Sequence, residues 1–139
     1  HTKGAHLYCV LEKGYSEGRN GAAYNGICPA AAEGKFLRAY RDGQDLYNIQ
    51  RRIDAMHSQI SNNTSQINNR YNDIAQLRRE IVRSNDENDR RYKMRLIVDM
   101  ENEIRNLDLD SQRAEHELYL LNNDYHVVED SHRRMGYIN

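Results

Sequence analysis

Aliphatic residues recur every seven positions through the central part of the chain. Six of them follow one another without interruption, while the companion row three residues later is polar in its middle, at Asn63 and Arg70. This spacing predicts one long α-helix with a single narrow apolar row, here called the seam. The seam of this first helix consists of Leu46, Ile53, Ile60, Ile67, Ile74 and Ile81.

A second heptad run follows in a new register and predicts a second long helix. Its seam includes Ile97, Ile104, Leu118 and Leu121. The polar residues between the two runs favour a turn, because Ser, Asn and Asp are preferred at helix N-termini. We therefore place the first helix at about residues 29–84, the turn at about 85–90 and the second helix at about 91–133.

A narrow seam on one helix needs a second helix to cover it. Folding the chain back at the turn gives a long antiparallel two-helix coiled-coil hairpin, in which Asn63 faces Ser111 and Ile67 faces Leu107. The predicted fold class is thus all-α, with this hairpin in residues 29–139 and a small head in residues 1–28.

The head is rich in glycine and tyrosine and contains both cysteines. Seven of the eight glycines lie in the first 43 residues, and neither Gly nor Pro occurs between Gln44 and Met135. We expect a loop before Pro29, a residue type that suits the first position of a helix. Cys9 and Cys28 either close this loop as a disulfide, worth about 3 kcal/mol, or remain two free thiols.

Charge and hydropathy limit the class of protein. Twenty basic and twenty-one acidic residues give a net charge of −1, which lacks the basic footprint of a general nucleic-acid binder. No stretch approaches the roughly 20 apolar residues of a membrane span. The long body without glycine or proline also argues against a Rossmann fold and a β-sandwich.

The head and the start of the first helix resemble a bacterial family, the domain of unknown function 2799. The resemblance covers residues 1–50 and is carried by Tyr8-Cys9, by the Tyr-Asn-Gly-Ile-Cys-Pro motif of residues 24–29 and by residues 36–47. It implies a Gram-negative location in the periplasm, at the outer membrane or outside the cell, and it supports the disulfide. It implies no activity, and membrane anchoring stays open.

No catalytic, cofactor-binding or metal-ligating set is predicted. His116 and His126 are ten residues apart, which separates them by about 15 Å along a helix. The glycines at positions 14, 18, 21 and 26 lack the strand–loop–helix context of a phosphate loop. We interpret the histidines as surface residues and the glycines as turn residues.

The tyrosines are the more suggestive feature of the surface. Ten Tyr accompany one Phe and no Trp, and Tyr suits interfaces because it has an apolar ring and a polar tip. Tyr137 and several others lie outside the seam; the alternative is that they cover the flanks of the hairpin. The candidate partner surface consists of Tyr71, Tyr92 and Tyr119, together with Arg90 and Arg91 near the turn.

These patterns predict a non-enzymatic structural or adaptor protein, whose hairpin contacts a protein partner or a second copy of the chain. One alternative is a binder of nucleic acid or anionic surfaces, since seven basic and four acidic residues lie between Arg78 and Arg95; a solvated helix end is the simpler interpretation. The other alternative is an enzyme, which would need a concave pocket that a two-helix hairpin hardly provides.

Overall fold

The computed structural model describes residues 8–138 and is all-helical over that range. Three helices follow one another along the chain: α1 is Leu11–Arg19, α2 is Ala30–Arg83 and α3 is Glu87–Arg134. No strand occurs among the described residues, and none of their helices is long and apolar enough to span a membrane. The chain divides into two compact units, which are described separately below.

The first unit comprises residues 1–54 and 119–139, of which 8–54 and 119–138 are described. One apolar cluster joins the two cysteines to Phe36, with Tyr8 and Tyr24 packed against it. A second cluster is built on Tyr15, Ala39 and Leu46. The aromatic rings that the sequence concentrates in the head therefore form much of the core of this unit.

The disulfide of the head is present and confirms the predicted pairing. Cys9 and Cys28 are bonded across a sequence separation of 19 residues, and both are buried. The Tyr24 hydroxyl accepts a hydrogen bond from the Cys28 amide at 3.1 Å and donates one to Glu33 Oε2 at 2.7 Å. These contacts attach the end of the head to the first turns of α2.

The head contains a helix that the sequence does not predict. Residues 1–28 are expected to form a loop, but α1 occupies nine of them. Its two glycines, Gly14 and Gly18, are buried against the backbone of α2 near Phe36 and Tyr40. Glycine lowers helix propensity, yet here it allows two backbones to approach closely, and this contact stabilises α1.

The second unit comprises residues 55–118. Within it, the Asn63 amide nitrogen donates to Ser111 Oγ at 3.1 Å, which is the pairing that the heptads predict. Arg70 forms an ion pair with Glu103, and Glu80 forms one with Lys93 at 3.4 Å. Since residue numbers rise on one partner as they fall on the other, residues 55–83 and 87–118 run antiparallel.

The turn of the second unit is shorter than predicted. α3 begins at Glu87 rather than near residue 91, because Asp86 acts as its N-cap and accepts the Asn88 amide on its carboxylate at 2.9 Å. Arg90 donates to the Ser84 carbonyl at 2.7 Å and closes the connection. Three residues therefore connect α2 and α3.

The seam residues differ in how well they are covered. Some are buried in full, whereas others keep a partly open flank, as expected where only two helices enclose the row. The buried ones are Leu46, Ile53, Ile74, Ile97 and Leu121, and the half-buried ones are Ile60, Ile67, Ile81, Ile104 and Leu118.

Candidate functional site

A buried tyrosine–histidine pair lies in the first unit. Tyr15 of α1 and His132 of α3 are both almost fully buried. The Tyr15 hydroxyl lies 3.0 Å from His132 Nδ1, to which it donates in the neutral tautomer that carries its proton on Nε2. The pair therefore attaches α1 to the C-terminal end of α3.

The residues after α3 complete this cluster. Gly136 has a φ of +88°, and the Tyr137 amide donates to the His132 carbonyl at 3.2 Å, so that α3 ends in a Schellman motif. The reversal stacks the Tyr137 ring on Tyr15 at 5.0 Å between centroids. The Tyr137 hydroxyl donates to Asp42 Oδ2 at 2.9 Å, which joins this end of the chain to α2.

An arginine of α1 makes the remaining polar contacts of the cluster. Arg19 donates to the Tyr125 hydroxyl at 3.0 Å and forms an ion pair with Glu129, both on α3. Burial raises the pKa of Tyr15, with Arg19 opposing this rise, so the phenol stays protonated. The arrangement is enclosed, and its visible role is to hold three helices together.

The surface assignment of His132 is wrong. His132 was expected to be an ordinary surface histidine, but it is buried because it continues the heptad row at the position after Tyr125. Tyr137 lies outside the seam, where a partner surface and a covering role are the two alternatives, and its half-buried ring against Tyr15 favours the covering role. The heptad position of His132 was the available signal, whereas Tyr137 follows the helix and carried none.

Burial makes His132 a source of pH-dependent stability. Desolvation lowers the pKa of the imidazole below its ordinary value, and Arg19 adds to this; the carboxylates of Asp42, Asp45 and Glu129 oppose it. Below about pH 6.5 the unfolded chain binds a proton that the buried ring does not. We expect the free energy of unfolding to fall as the pH drops from there towards the lowered pKa of His132.

Urea unfolding of the His132→Gln variant between pH 7.5 and 5, a range that spans the ordinary histidine titration, tests this expectation. The variant should lose most of the pH dependence that the unmodified chain shows in this range. The matched control is His126→Gln in the same unit, where the replaced ring is exposed. Equal pH dependence in the unmodified chain and both variants would contradict the assignment.

The candidate partner surface is exposed at its three tyrosines. Tyr71 is 57 % exposed, Tyr92 55 % and Tyr119 70 %. Its two arginines differ: Arg91 is exposed and pairs with Glu87 of its own helix, whereas Arg90 is half-buried and bonded to the turn. The structure therefore gives Arg90 a role within the turn.

A groove in the second unit brings one of these tyrosines together with two seam residues. Tyr71 lines a concavity of about 410 Å³ with the half-buried Ile67 and Ile104. The charged side chains along it are Glu101, Arg105 and Asp108. The groove therefore exposes the flank of the seam where α2 and α3 alone do not cover it.

No group of three or more His, Cys, Asp or Glu side chains in the described part of the chain is placed to hold a metal ion. The two cysteines form the disulfide and do not act as thiols.

The comparisons with known proteins bear on the head. A search of curated proteins and a search of solved structures each returned no match. Residues 1–45 match the model of the family described as a protein of unknown function, DUF2799, which confirms the resemblance carried by the head and the start of α2.

Proposed function

We propose that the protein is a non-enzymatic structural or adaptor protein of the bacterial envelope or exterior. In this proposal, residues 55–118 form an antiparallel coiled-coil hairpin that receives a further helix, supplied by a protein partner or by a second copy of the chain. The heptad spacing and the antiparallel contacts from Asn63–Ser111 to Glu80–Lys93 support the coiled-coil packing.

The groove at Tyr71 is the observation that carries this proposal. Ile67 and Ile104 belong to the seam, yet each keeps part of its surface exposed there. Tyr71 adds an exposed aromatic ring to the same concavity. Exposed apolar groups that adjoin a groove are typical of contact sites, and an incoming helix would bury them in the helix-in-groove manner.

The charges of the groove indicate the kind of helix that fits. Two carboxylates, Glu101 and Asp108, lie one heptad apart on α3, with Arg105 between them. A partner helix with aliphatic residues at a spacing of three or four and a lysine or arginine beside them would match this lining. A coiled-coil helix of another chain has aliphatic residues at this spacing with charged residues beside them.

The head supports the proposed location. Disulfides form and persist in oxidising compartments such as the bacterial periplasm, and the Cys9–Cys28 bond supports such a setting. The match of residues 1–45 to a family of unknown function adds no activity. The proposal therefore assigns contact, and not catalysis, to the chain.

Photo-cross-linking at the groove tests the proposal. A photoreactive phenylalanine analogue replaces Tyr71 in one chain and Tyr92 in another, because the two rings are equally exposed and both lie in the second unit. We expect a defined cross-linked species in cells from the Tyr71 position only. Mass spectrometry of the cross-linked peptide shows whether the captured helix belongs to the same chain or to another protein.

A pair of charge variants gives the quantitative comparison. Tyr71→Asp should weaken the captured association at least about tenfold, since aromatic anchors at interfaces commonly contribute more than 1.4 kcal/mol. Tyr92→Asp introduces the same charge outside the groove and should change the strength of the captured association by less than about twofold. Equal loss in both variants, or none in either, would show that the groove is not the contact.

A further inference from the structure

The tip of the second unit, defined here as residues 78–95, carries more arginine charge than its acidic groups neutralise. Glu80 and Asp89 both form ion pairs with Lys93. The hydrogen bond from Lys93 lowers the pKa of Asp89. Glu87 pairs with Arg91. The carboxylates of these three residues are therefore already engaged within the tip.

Asp86, the fourth acidic residue of the tip, caps α3. Four arginines of the tip, in contrast, form no ion pair with any of the described residues. Arg79 bonds to the uncharged Gln76 at 2.7 Å, and the others are Arg78, Arg83 and Arg95. All four are exposed. The tip therefore presents uncompensated guanidinium groups to solvent.

Aliphatic side chains lie among these arginines. Val82 is 86 % exposed in a concavity of about 330 Å³ lined by Arg78, Arg79 and Arg83. Met94 is 51 % exposed in a second concavity of about 620 Å³, whose lining includes Arg91 and Arg95. Burial of the aliphatic groups is favourable against an apolar surface, and the neighbouring arginines favour an anionic one, so a partner that is both fits this arrangement best.

The position of these side chains along the helices suits a flat surface. Val82 is one residue before the end of α2, and Met94 is seven residues after the start of α3. At 1.5 Å per residue both lie within about 11 Å of the turn along the helix axes. This range compares with the roughly 5–10 Å to which interfacial apolar groups enter the headgroup region of a bilayer.

We propose that the tip docks on a membrane surface that carries anionic lipid headgroups, with the arginines on the lipid phosphates and Val82 and Met94 in the headgroup–acyl boundary. Charge complementarity sets the attraction, and the two exposed aliphatic groups favour a membrane surface over nucleic acid. Single-stranded nucleic acid is held by several aromatic stacking platforms, whereas the tip has one exposed aromatic ring, Tyr92, and both concavities are lined by aliphatic and polar residues. This surface is separate from the groove at Tyr71, so the two proposals can fail independently.

Vesicle flotation with the full chain tests the proposal. The probes are vesicles of phosphatidylcholine alone and vesicles in which part of it is replaced by anionic phosphatidylglycerol. We expect binding to the anionic vesicles only, and binding that weakens as salt is raised, because exposed charges are screened. Equal binding to both vesicles, or to neither, would overturn the proposal.

Two double variants locate the contact. Arg78→Gln/Arg83→Gln should lower the vesicle partition coefficient about 25-fold, at about fivefold for each arginine near an anionic surface. Arg105→Gln/Arg113→Gln removes the same charge elsewhere in the second unit and should change it less than about twofold. Equal effects of the two double variants would place the contact outside the tip.

A third double variant measures how much the aliphatic side chains contribute to vesicle binding. Val82→Ser/Met94→Ser keeps the charge of the tip and should lower the partition coefficient about tenfold or more, since both side chains lose the gain from burial. Unchanged partitioning of this variant would show that the aliphatic side chains are not inserted and so overturn the proposal.

A short DNA duplex and a single strand serve as competitors, and preferential binding to either would assign the tip to nucleic acid instead.

Discussion

Replacing Gly43 by alanine is expected to destabilise the first unit by about 3 kcal/mol or more. A Cβ at this position would lie 2.3 Å from the Tyr15 carbonyl oxygen and 2.7 Å from the Arg19 amide nitrogen. Both atoms are backbone, so no side chain can move aside to relieve the overlap. The helices α1 and α2 would have to separate, which would disturb the burial of Tyr15 and Leu46.

The same contact can be tested from the other helix. A Cβ at Gly18 would lie 2.0 Å from the Tyr40 carbonyl oxygen. Gly18→Ala is therefore expected to be as damaging as Gly43→Ala. Both variants should lower the urea midpoint followed by near-ultraviolet circular dichroism, which reports the packed tyrosines of the first unit.

Gly34 provides the matched control for these substitutions. It also lies within α2, but a Cβ there would have nothing within 4 Å. Gly34→Ala should stabilise the protein by up to about 1 kcal/mol, because alanine favours the helix and restricts the unfolded chain. Unchanged stability in Gly43→Ala, or a loss in Gly34→Ala as large as that in Gly43→Ala, would contradict the close backbone contact.

Removing the disulfide is expected to cost about 3 kcal/mol, the value typical for a loop of this length. The bond joins residues separated by 19 positions and is buried with Phe36 in the core of the head. Without it, the unfolded head gains conformational freedom, while α1 is too short to persist alone. Hydrogen exchange should show the largest loss of protection in the amides of α1.

The measurement compares urea unfolding in the presence and absence of a reducing agent. The Cys9→Ser/Cys28→Ser variant should resemble the reduced protein and should not respond to the reductant. This variant controls for any effect of the reducing agent itself. If reduction leaves the urea midpoint and the exchange of α1 unchanged, the disulfide contributes no stability to the head.

The second unit is the part that the sequence predicts best. Its seam follows from local spacing, since residues seven apart share one face of a helix whatever surrounds them. The polar positions Asn63 and Ser111 then indicate the register, and their hydrogen bond has the predicted partners. The predicted turn is longer than the observed one, because several N-cap residue types lie between the heptad runs and only the structure shows that Asp86 caps α3 at Glu87.

The head shows where local signals fail. The spacing of the two cysteines leaves a disulfide and two free thiols as alternatives, and the family resemblance favours the disulfide that the structure shows. Helix α1, in contrast, does not follow from its own nine residues. Gly14 and Gly18 give the segment a low helix propensity. The segment is helical because α2 lies against those glycines at backbone distance, and this contact is between residues far apart in the sequence.

The sequence by itself determined that the body of the chain is helical and which heptad positions form the seam, because both depend on local spacing. Only the tertiary structure decided that His132 is buried against Tyr15, that Tyr137 returns to the same cluster and that Tyr71 opens onto a groove. Those features depend on which segments, distant in sequence, pack against each other and on how much of each side chain remains exposed after packing. Hydrophobic spacing specifies the face of a helix, whereas the neighbour that covers this face is selected by packing across the whole fold.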